Sequence, residues 1–245
     1  MIKFRDYTMI YLFDIDGTLT PSRLRIDTEF EQFFLQWMKD KEVIFVTGSD
    51  KDKTIEQVGE KIWTNASRIY QSCGNAVYQG GQLIHKNQFD LDPELRRLLY
   101  TFLATSDWPK EDRYDNHIEE RIGLINYSTI GRSCPQRARE AYAVWDKEFE
   151  ERKLFCKIIE DTFPALEATI GGQISIDIYP KGQNKAQVLN DLIGPITFFG
   201  DKCEPGGNDF PIAYELERQF EQNNRQCVVH RVKDYKDTWN ILKTY

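Results

Sequence analysis

Apolar residues along this chain come in two rhythms. Met9 to Phe13, Val43 to Val46 and Ile196 to Phe199 are short continuous runs without alternation. Such runs suit strands buried on both faces of a sheet. Helical periods lie between and after them. Asp27 offers an N-cap, and Phe30, Phe33, Phe34, Trp37 and Met38 then fall on one helical face. Asp50 to about Lys61 reads as a second helix. Lys185 to Ile193 reads as another, with Ala186, Leu189, Leu192 and Ile193 turned inward. The stretch after Phe210 reads as helix, strand and helix, with Cys227 to His230 as the strand. Strands alternating with helices predict a parallel α/β sheet.

The middle of the chain follows a different rule. Gln173 to Tyr179 alternates strictly, with Ile174, Ile176 and Ile178 on one face and Gln173, Ser175, Asp177 and Tyr179 on the other. That predicts a half-buried strand of an antiparallel sheet, its polar face toward solvent. Residues 118 to 127 are a weaker example, and a charged helix is expected over roughly 136 to 152. The expectation is a Rossmann-like parallel-sheet core, residues 1–81 and 184–245, with an inserted α+β cap at residues 82–183 carrying an antiparallel sheet.

Composition narrows the function. The net charge of −7 gives no basic footprint, so no nucleic-acid partner is expected. No run of 18 apolar residues exists, so no membrane partner is expected. The opening MIKFRDYTMIYLF lacks a leader pattern. Cys73, Cys134, Cys156, Cys203 and Cys227 are odd in number and form no CxxC pair, as suits reduced thiols in a cytoplasmic protein. His85, His117 and His230 show no metal-ligand spacing. Oxygen ligands are left to carry any metal chemistry.

The segment Phe13-Asp14-Ile15-Asp16-Gly17-Thr18-Leu19-Thr20 supplies them. Two aspartates at a spacing of two follow a buried strand, and period-two geometry aims both carboxylates one way at the strand's carboxyl end. Ligands of open α/β sheets bind at that edge. Like charges so close resist joint ionisation unless a cation or a shared proton intervenes, and Mg²⁺ is a hard cation suited to oxygen donors. A bare DxD would read as an acidic turn; DxDGT after an apolar strand reads as a site.

This segment resembles the haloacid dehalogenase superfamily. The resemblance implies that Asp14 is a nucleophile that becomes an aspartyl-phosphate, and that Asp16 is the general acid and base. It also implies a hydroxyl on the phosphoryl group from Thr47, with Ser49 as the alternative donor. Lys185 opens a predicted helix, where its charge and free N–H groups can both meet phosphate. Asp201, after ITFFG, and Asp209 match the acidic metal motif. Mg²⁺ would be held by the Asp14 and Asp201 carboxylates and the Asp16 carbonyl, with Asp209 beside them.

The insertion carries three arginines within nineteen positions, Arg121, Arg132 and Arg139, and arginine binds phosphate as a planar fork. The words DIDGTLTPSR, RIGLINYSTIGRSC, GGQISIDIYPKGQNK and FFGDKCEPGGNDF resemble the eukaryotic-type phosphomannomutases, over about residues 9 to 210. That resemblance implies a C2-type cap, a homodimer formed through the cap, and interconversion of hexose 6- and 1-phosphates. Mannose is the expected sugar, hexose 1,6-bisphosphate the activator, and GDP-mannose synthesis the destination. By position, Arg121, Arg132 and Arg139 bind substrate phosphate, and Ser175 and Asp177 bind the sugar or its phosphate. Asn126 is a further candidate, and Arg23 lies in the linker after the nucleophile loop. The chain has Thr47-Gly48-Ser49-Asp50 where the family has GGSD, and Cys73-Gly74-Asn75-Ala76-Val77 where it has ENGLV. These words lie closer to the superfamily's phosphatases, so a Mg²⁺-dependent sugar-phosphate phosphatase is the alternative.

Overall fold

A computed structural model describes residues 7–245, so the first part of the opening segment, and with it the expectation of no leader pattern, lies outside the described residues. The elements run β1 (Ile10–Phe13), α1 (Thr28–Trp37), β2 (Glu42–Val46), α2 (Lys51–Val58), α3 (Glu60–Asn65), β3 (Arg68–Gln71), β4 (Ala76–Gln79), β5 (Gln82–Lys86), α4 (Pro93–Thr105), β6 (Ile118–Arg121) and β7 (Leu124–Tyr127). They continue with α5 (Gln136–Phe149), α6 (Glu151–Thr162), β8 (Leu166–Gly171), β9 (Ser175–Pro180), β10 (Ile196–Gly200), α7 (Phe210–Glu221), β11 (Cys227–Arg231) and α8 (Tyr235–Leu242).

Contacts divide the chain into two compact units. One runs up to Lys86 and resumes at Asn184–Tyr245; the other is Asn87–Gln183. The first unit holds a seven-stranded sheet in the order β11-β10-β1-β2-β3-β4-β5. It is parallel from β11 through β3 and antiparallel at β4 and β5. The cap was expected to begin at residue 82, but Gln82–Lys86 pairs with β4 in this sheet and so belongs to the core unit.

β1 lies between β2 and β10, with Phe13 opposite Phe45 and Phe199. Its side chains divide between two cores by the period of two. Phe13, Val43, Phe45 and Phe199 pack with α1, α3 and α8. Ile10, Leu12, Ile44, Val46, Ile196 and Phe198 pack with α7 and the segment around Leu189. The Phe13 and Phe199 rings stack at 4.6 Å. Both faces of the strand are thus filled, which is why its sequence does not alternate.

Local signals behave unevenly. Asp27 caps α1, accepting from the Glu29 and Phe30 N–H groups. The helix expected from Asp50 to about Lys61 breaks at Gly59, whose φ of +82° ends α2, and α3 continues to Asn65. The helix expected over 136 to 152 breaks at Glu150, which takes the left-handed conformation at φ +53°; α6 then runs on to Thr162. The helix expected from Lys185 to Ile193 is a six-residue 3-10 turn, Lys185–Asn190.

The second unit has a four-stranded antiparallel sheet in the order β6-β7-β9-β8. Ile125, Tyr127, Ile176, Ile178 and Ala168 face a core closed by Leu95, Leu99 and Phe102 of α4 and Phe155 and Ile159 of α6. The other face of β9 was expected to meet solvent. It does not: Ser175, Asp177 and Tyr179 are as buried as the isoleucines between them.

Candidate active site

The nucleophile candidate sits where β1 ends. Asp14 N–H donates to Phe199 O at 3.0 Å, fixing its backbone to the neighbouring strand. The chain then turns tightly, with Gly17 N–H on Thr20 O and the Leu19 and Thr20 N–H groups on Ile15 O. Gly17 has φ +91°, and a Cβ there would overlap Asp201 Oδ2. Only glycine allows both the turn and the approach of that carboxylate.

Asp201 follows β10, and Asp209 closes the loop after it. Asp209 Oδ2 accepts from the Lys202 N–H at 3.1 Å, while the Asp209 N–H donates to Lys202 O at 3.1 Å. Lys185 reaches in from the 3-10 turn, its Nζ 2.6 Å from Asp14 Oδ1 and 2.7 Å from Asp209 Oδ1. Its side chain is wholly buried. Asn184 accepts from the Ala186 N–H, so this short turn meets the site through the Lys185 ammonium, and the expected helix N-terminus is not there.

One cation thus serves a crowd of carboxylates. Burial raises the Asp14 pKa well above the usual carboxylate range; the Asp209 charge adds to this and Lys185 opposes it. Burial pushes Asp201 up to about 7, with Asp209 contributing and Lys202 opposing. Burial works against the Lys185 charge, but the Asp14 and Asp209 carboxylates outweigh it and hold the ammonium well above the ordinary lysine value. One lysine leaves the carboxylates short of positive charge.

That deficit and the donor chemistry fit a hard divalent cation. Asp14, Asp201 and Asp209 each offer an oxygen within 4.8 Å of the others. Asn208 Oδ1, on the residue before Asp209, is buried without a hydrogen bond from the protein. The Asp16 carboxylate is not part of this group. Its Oδ1 accepts from the Arg23 N–H at 2.6 Å and from Gln57 Nε2 at 2.8 Å. Arg23, at φ +62°, therefore touches the site through its main chain. Thr47, buried at the end of β2, accepts from the Ser49 N–H at 3.1 Å.

The remaining expected residues form a second constellation, in the cap. Registered pairs run across its sheet: Glu119 opposite Asn126, Asn126 opposite Asp177, and Asp177 opposite Thr169. Asn126 Nδ2 donates to Asp177 Oδ1 at 2.5 Å. Arg132 Nη1 donates to Asn126 Oδ1 at 2.6 Å and to Ser175 Oγ at 3.0 Å. Arg139 Nη2 donates to Arg132 O at 2.5 Å, tying α5 to the loop that carries Arg132. That loop is itself stitched down, with the Arg132 N–H on Asn116 O at 2.9 Å. These bonds explain the buried polar face: its groups satisfy one another, so water is not required.

Two participants escaped the sequence reading. Gln57, fully buried on α2, bridges Asp16 Oδ1 and Thr20 Oγ1. A polar residue beside Thr54 and Val58 on the buried face of a helix was its only signal. Glu119 Oε2 accepts from Arg121 Nε at 2.8 Å, from Arg121 Nη2, and from Arg132 Nε at 2.8 Å. Its signal was the spacing of two from Arg121 on one strand.

Comparison with known proteins agrees with this geometry. Residues 30–245 match the family described as eukaryotic phosphomannomutase. A phosphomannomutase of Dendrobium officinale is 34% identical over 91% of this chain and 94% of its own length. One from Drosophila melanogaster is 34% identical over 96% of this chain and 94% of its own. Among solved structures, a haloacid dehalogenase-like hydrolase from Bacteroides thetaiotaomicron matches with a TM-score of 0.59 at 12% identity, over 97% of this chain and 99% of that one. That likeness concerns the fold, a haloacid dehalogenase core with an inserted cap. With a carboxylate cluster at the end of β1 and a cap sheet lined by arginines, and with relatives matching over nearly its whole length, the chain belongs to the eukaryotic phosphomannomutase family.

Proposed function

We propose that the protein is a phosphomannomutase, interconverting mannose 6-phosphate and mannose 1-phosphate through an aspartyl-phosphate and a hexose 1,6-bisphosphate. The observation that carries this reading is Asp14, buried at the end of the central strand with Lys185 at 2.6 Å and Asp201 and Asp209 beside it. Binding alone has no use for a nucleophile placed between a buried ammonium and two further carboxylates.

The steps follow from these groups. Asp14 Oδ attacks the phosphorus, the bond from phosphorus to the sugar oxygen breaks, and that oxygen takes a proton from Asp16. Lys185, with the Thr47 hydroxyl and Ser49 as hydrogen-bond donors, steadies the phosphoryl oxygens. In the opposite direction, with Asp14 phosphorylated, the free hydroxyl of the sugar monophosphate loses its proton to Asp16 and takes the phosphoryl group, which gives the bisphosphate. This turns round, and Asp14 takes its other phosphoryl group by the step just described. Hexose 1,6-bisphosphate starts the cycle by phosphorylating Asp14. The carboxylates of Asp14, Asp201 and Asp209 and the Asp16 carbonyl would hold Mg²⁺, which when bound neutralises phosphoryl oxygens so that one anion can approach another.

A mutase must also hold the phosphate that is not reacting. We assign that task to Arg121, Arg132 and Arg139, with Asn126, Ser175 and Asp177 recognising the sugar and Arg23 contributing from the linker. The remainder of the reading, a cytoplasmic homodimer supplying mannose 1-phosphate for GDP-mannose synthesis, rests on the family. Val144, Phe149 and Leu154 of α5 and α6 are exposed apolar groups of the cap, which supports an interface there.

The test is direct. With Mg²⁺, mannose 1-phosphate and a catalytic amount of hexose 1,6-bisphosphate, mannose 6-phosphate should accumulate. Release of inorganic phosphate without mannose 6-phosphate would overturn the mutase in favour of a sugar-phosphate phosphatase.

A further inference from the structure

We propose that Glu119 is a built-in competitor for the substrate's phosphate: its carboxylate occupies the arginine edges that a sugar phosphate must use, and so weakens phosphate binding by the cap. The inference rests on the assignment of Arg121 and Arg132 to substrate phosphate and goes beyond it.

The geometry is specific about which edges are taken. Arginine grips a phosphate best with Nε and Nη2 together, as two parallel donors. Arg121 gives that very pair to Glu119 Oε2. Arg132 gives its Nε to the same oxygen at 2.8 Å, while its Nη1 holds Asn126 and Ser175. One carboxylate oxygen therefore sits where a phosphate oxygen bridging the two arginines would sit. Glu119 keeps 29% of its side-chain surface, against 10% and 11% for the arginines, so the carboxylate is the most accessible member of the three. A phosphate dianion arriving there must displace or share an anion already in place.

Asp177, another acid of this face, is committed differently. It faces Asn126 and Thr169 across the sheet and accepts from Asn126 at 2.5 Å. Asn126 stands between Asp177 and Arg132, bonded to both, whereas Glu119 meets both arginines directly.

A weakened grip has a use in this chemistry. The bisphosphate must leave one orientation and return in the other before the second transfer. Two arginines with nothing to return to would hold it longer. A carboxylate that takes the arginines back as phosphate departs lowers the cost of release.

The probe is inorganic phosphate, titrated calorimetrically into the full chain without metal at pH 7.5 and low ionic strength. Glu119→Gln should bind phosphate about three- to tenfold more tightly than the parent, and the difference should shrink in about 0.5 M salt. Steady-state kinetics should show KM and kcat both falling, the split that a merely supporting glutamate would not produce. Glu120→Gln is the control. It removes an equal charge from the next position, where Glu120 pairs with Arg96 at 2.6 Å, and should change nothing. Glu119→Asp, too short to span both arginines, should tighten binding less and guards against misfolding of the glutamine variant. Phosphate affinity that falls or stays level in Glu119→Gln, while Arg132→Ala weakens it, overturns the competitor and leaves the phosphate site standing. Phosphate affinity indifferent to Arg132→Ala overturns both.

Discussion

Lys185→Met is the substitution whose consequences the structure defines most closely. Methionine matches the length of the stem but removes the charge that faces Asp14 at 2.6 Å and Asp209 at 2.7 Å. Breaking a buried ion pair by deleting one partner costs about 3–5 kcal/mol, because the other charge stays behind unpaired. In a chain of this length each kcal/mol moves the midpoint by about 2–4 °C, so the metal-free variant should melt roughly 6–20 °C lower at pH 8.

The pH dependence follows from the carboxyl groups. Asp14 and Asp201 bind their protons more tightly folded than unfolded. A raised carboxyl pKa gives stability that is present at low pH and lost as pH rises through the folded value, here about 7 for Asp201. The metal-free parent should therefore weaken between about pH 4 and 7, by on the order of a few kcal/mol. The lysine stays charged throughout this window, since its own pKa is raised. At pH 5.5 the variant's carboxyls take up protons, and its deficit should fall to less than about half of that at pH 8. Saturating Mg²⁺ should restore part of the loss at pH 8 and little at pH 5.5. Thermal melts followed by circular dichroism, at both pH values with and without Mg²⁺, check all of this. A Lys185→Met midpoint within about 2 °C of the parent at pH 8 without metal would refute the charge argument.

Asp14→Asn should abolish turnover and the acid-trapped phosphoenzyme formed from labelled hexose bisphosphate, yet leave a folded protein with a cooperative thermal melt at pH 8, since Lys185 keeps Asp209 as a partner. Gly17→Ala forces a Cβ onto Asp201 Oδ2 at φ +91°, and should weaken Mg²⁺ binding about tenfold or more in a calorimetric titration. Gly131→Ala drives a Cβ into Tyr114 O at φ +86°, beside Arg132; it should destabilise the cap by about 2 kcal/mol or more in a denaturant melt and raise KM for the sugar phosphate.

The core could be read from sequence wherever one physical demand dominated. β1, β2 and β10 are filled on both faces, so their runs are unbroken and visible. DxDGT was visible because a buried strand, a glycine turn and two carboxylates must be contiguous. β5 was invisible for the opposite reason: all five of its residues are exposed, and an edge strand without a buried face leaves no hydrophobic pattern. The breaks at Gly59 and Glu150 are backbone events that side-chain periodicity does not record, least of all when a glutamate takes the left-handed conformation.

The cap shows a deeper limit. Strict alternation over residues 173 to 179 grouped Ser175 and Asp177 on one face of a strand, as the structure does, and gave the wrong surroundings. The rule that polar positions face water assumes that water is their only partner. Here Asn126, Arg132, Ser175 and Asp177 are one another's partners, and the face is buried and polar at once. Period-two spacing does group Glu119 with Arg121, and it cannot say that Glu119 also reaches Arg132, thirteen positions on in another segment of the chain. The cap arginines were legible because their charge is plain in the sequence. Their contact with Glu119 joins separate segments, and only the folded cap brings the two arginines to one carboxylate oxygen.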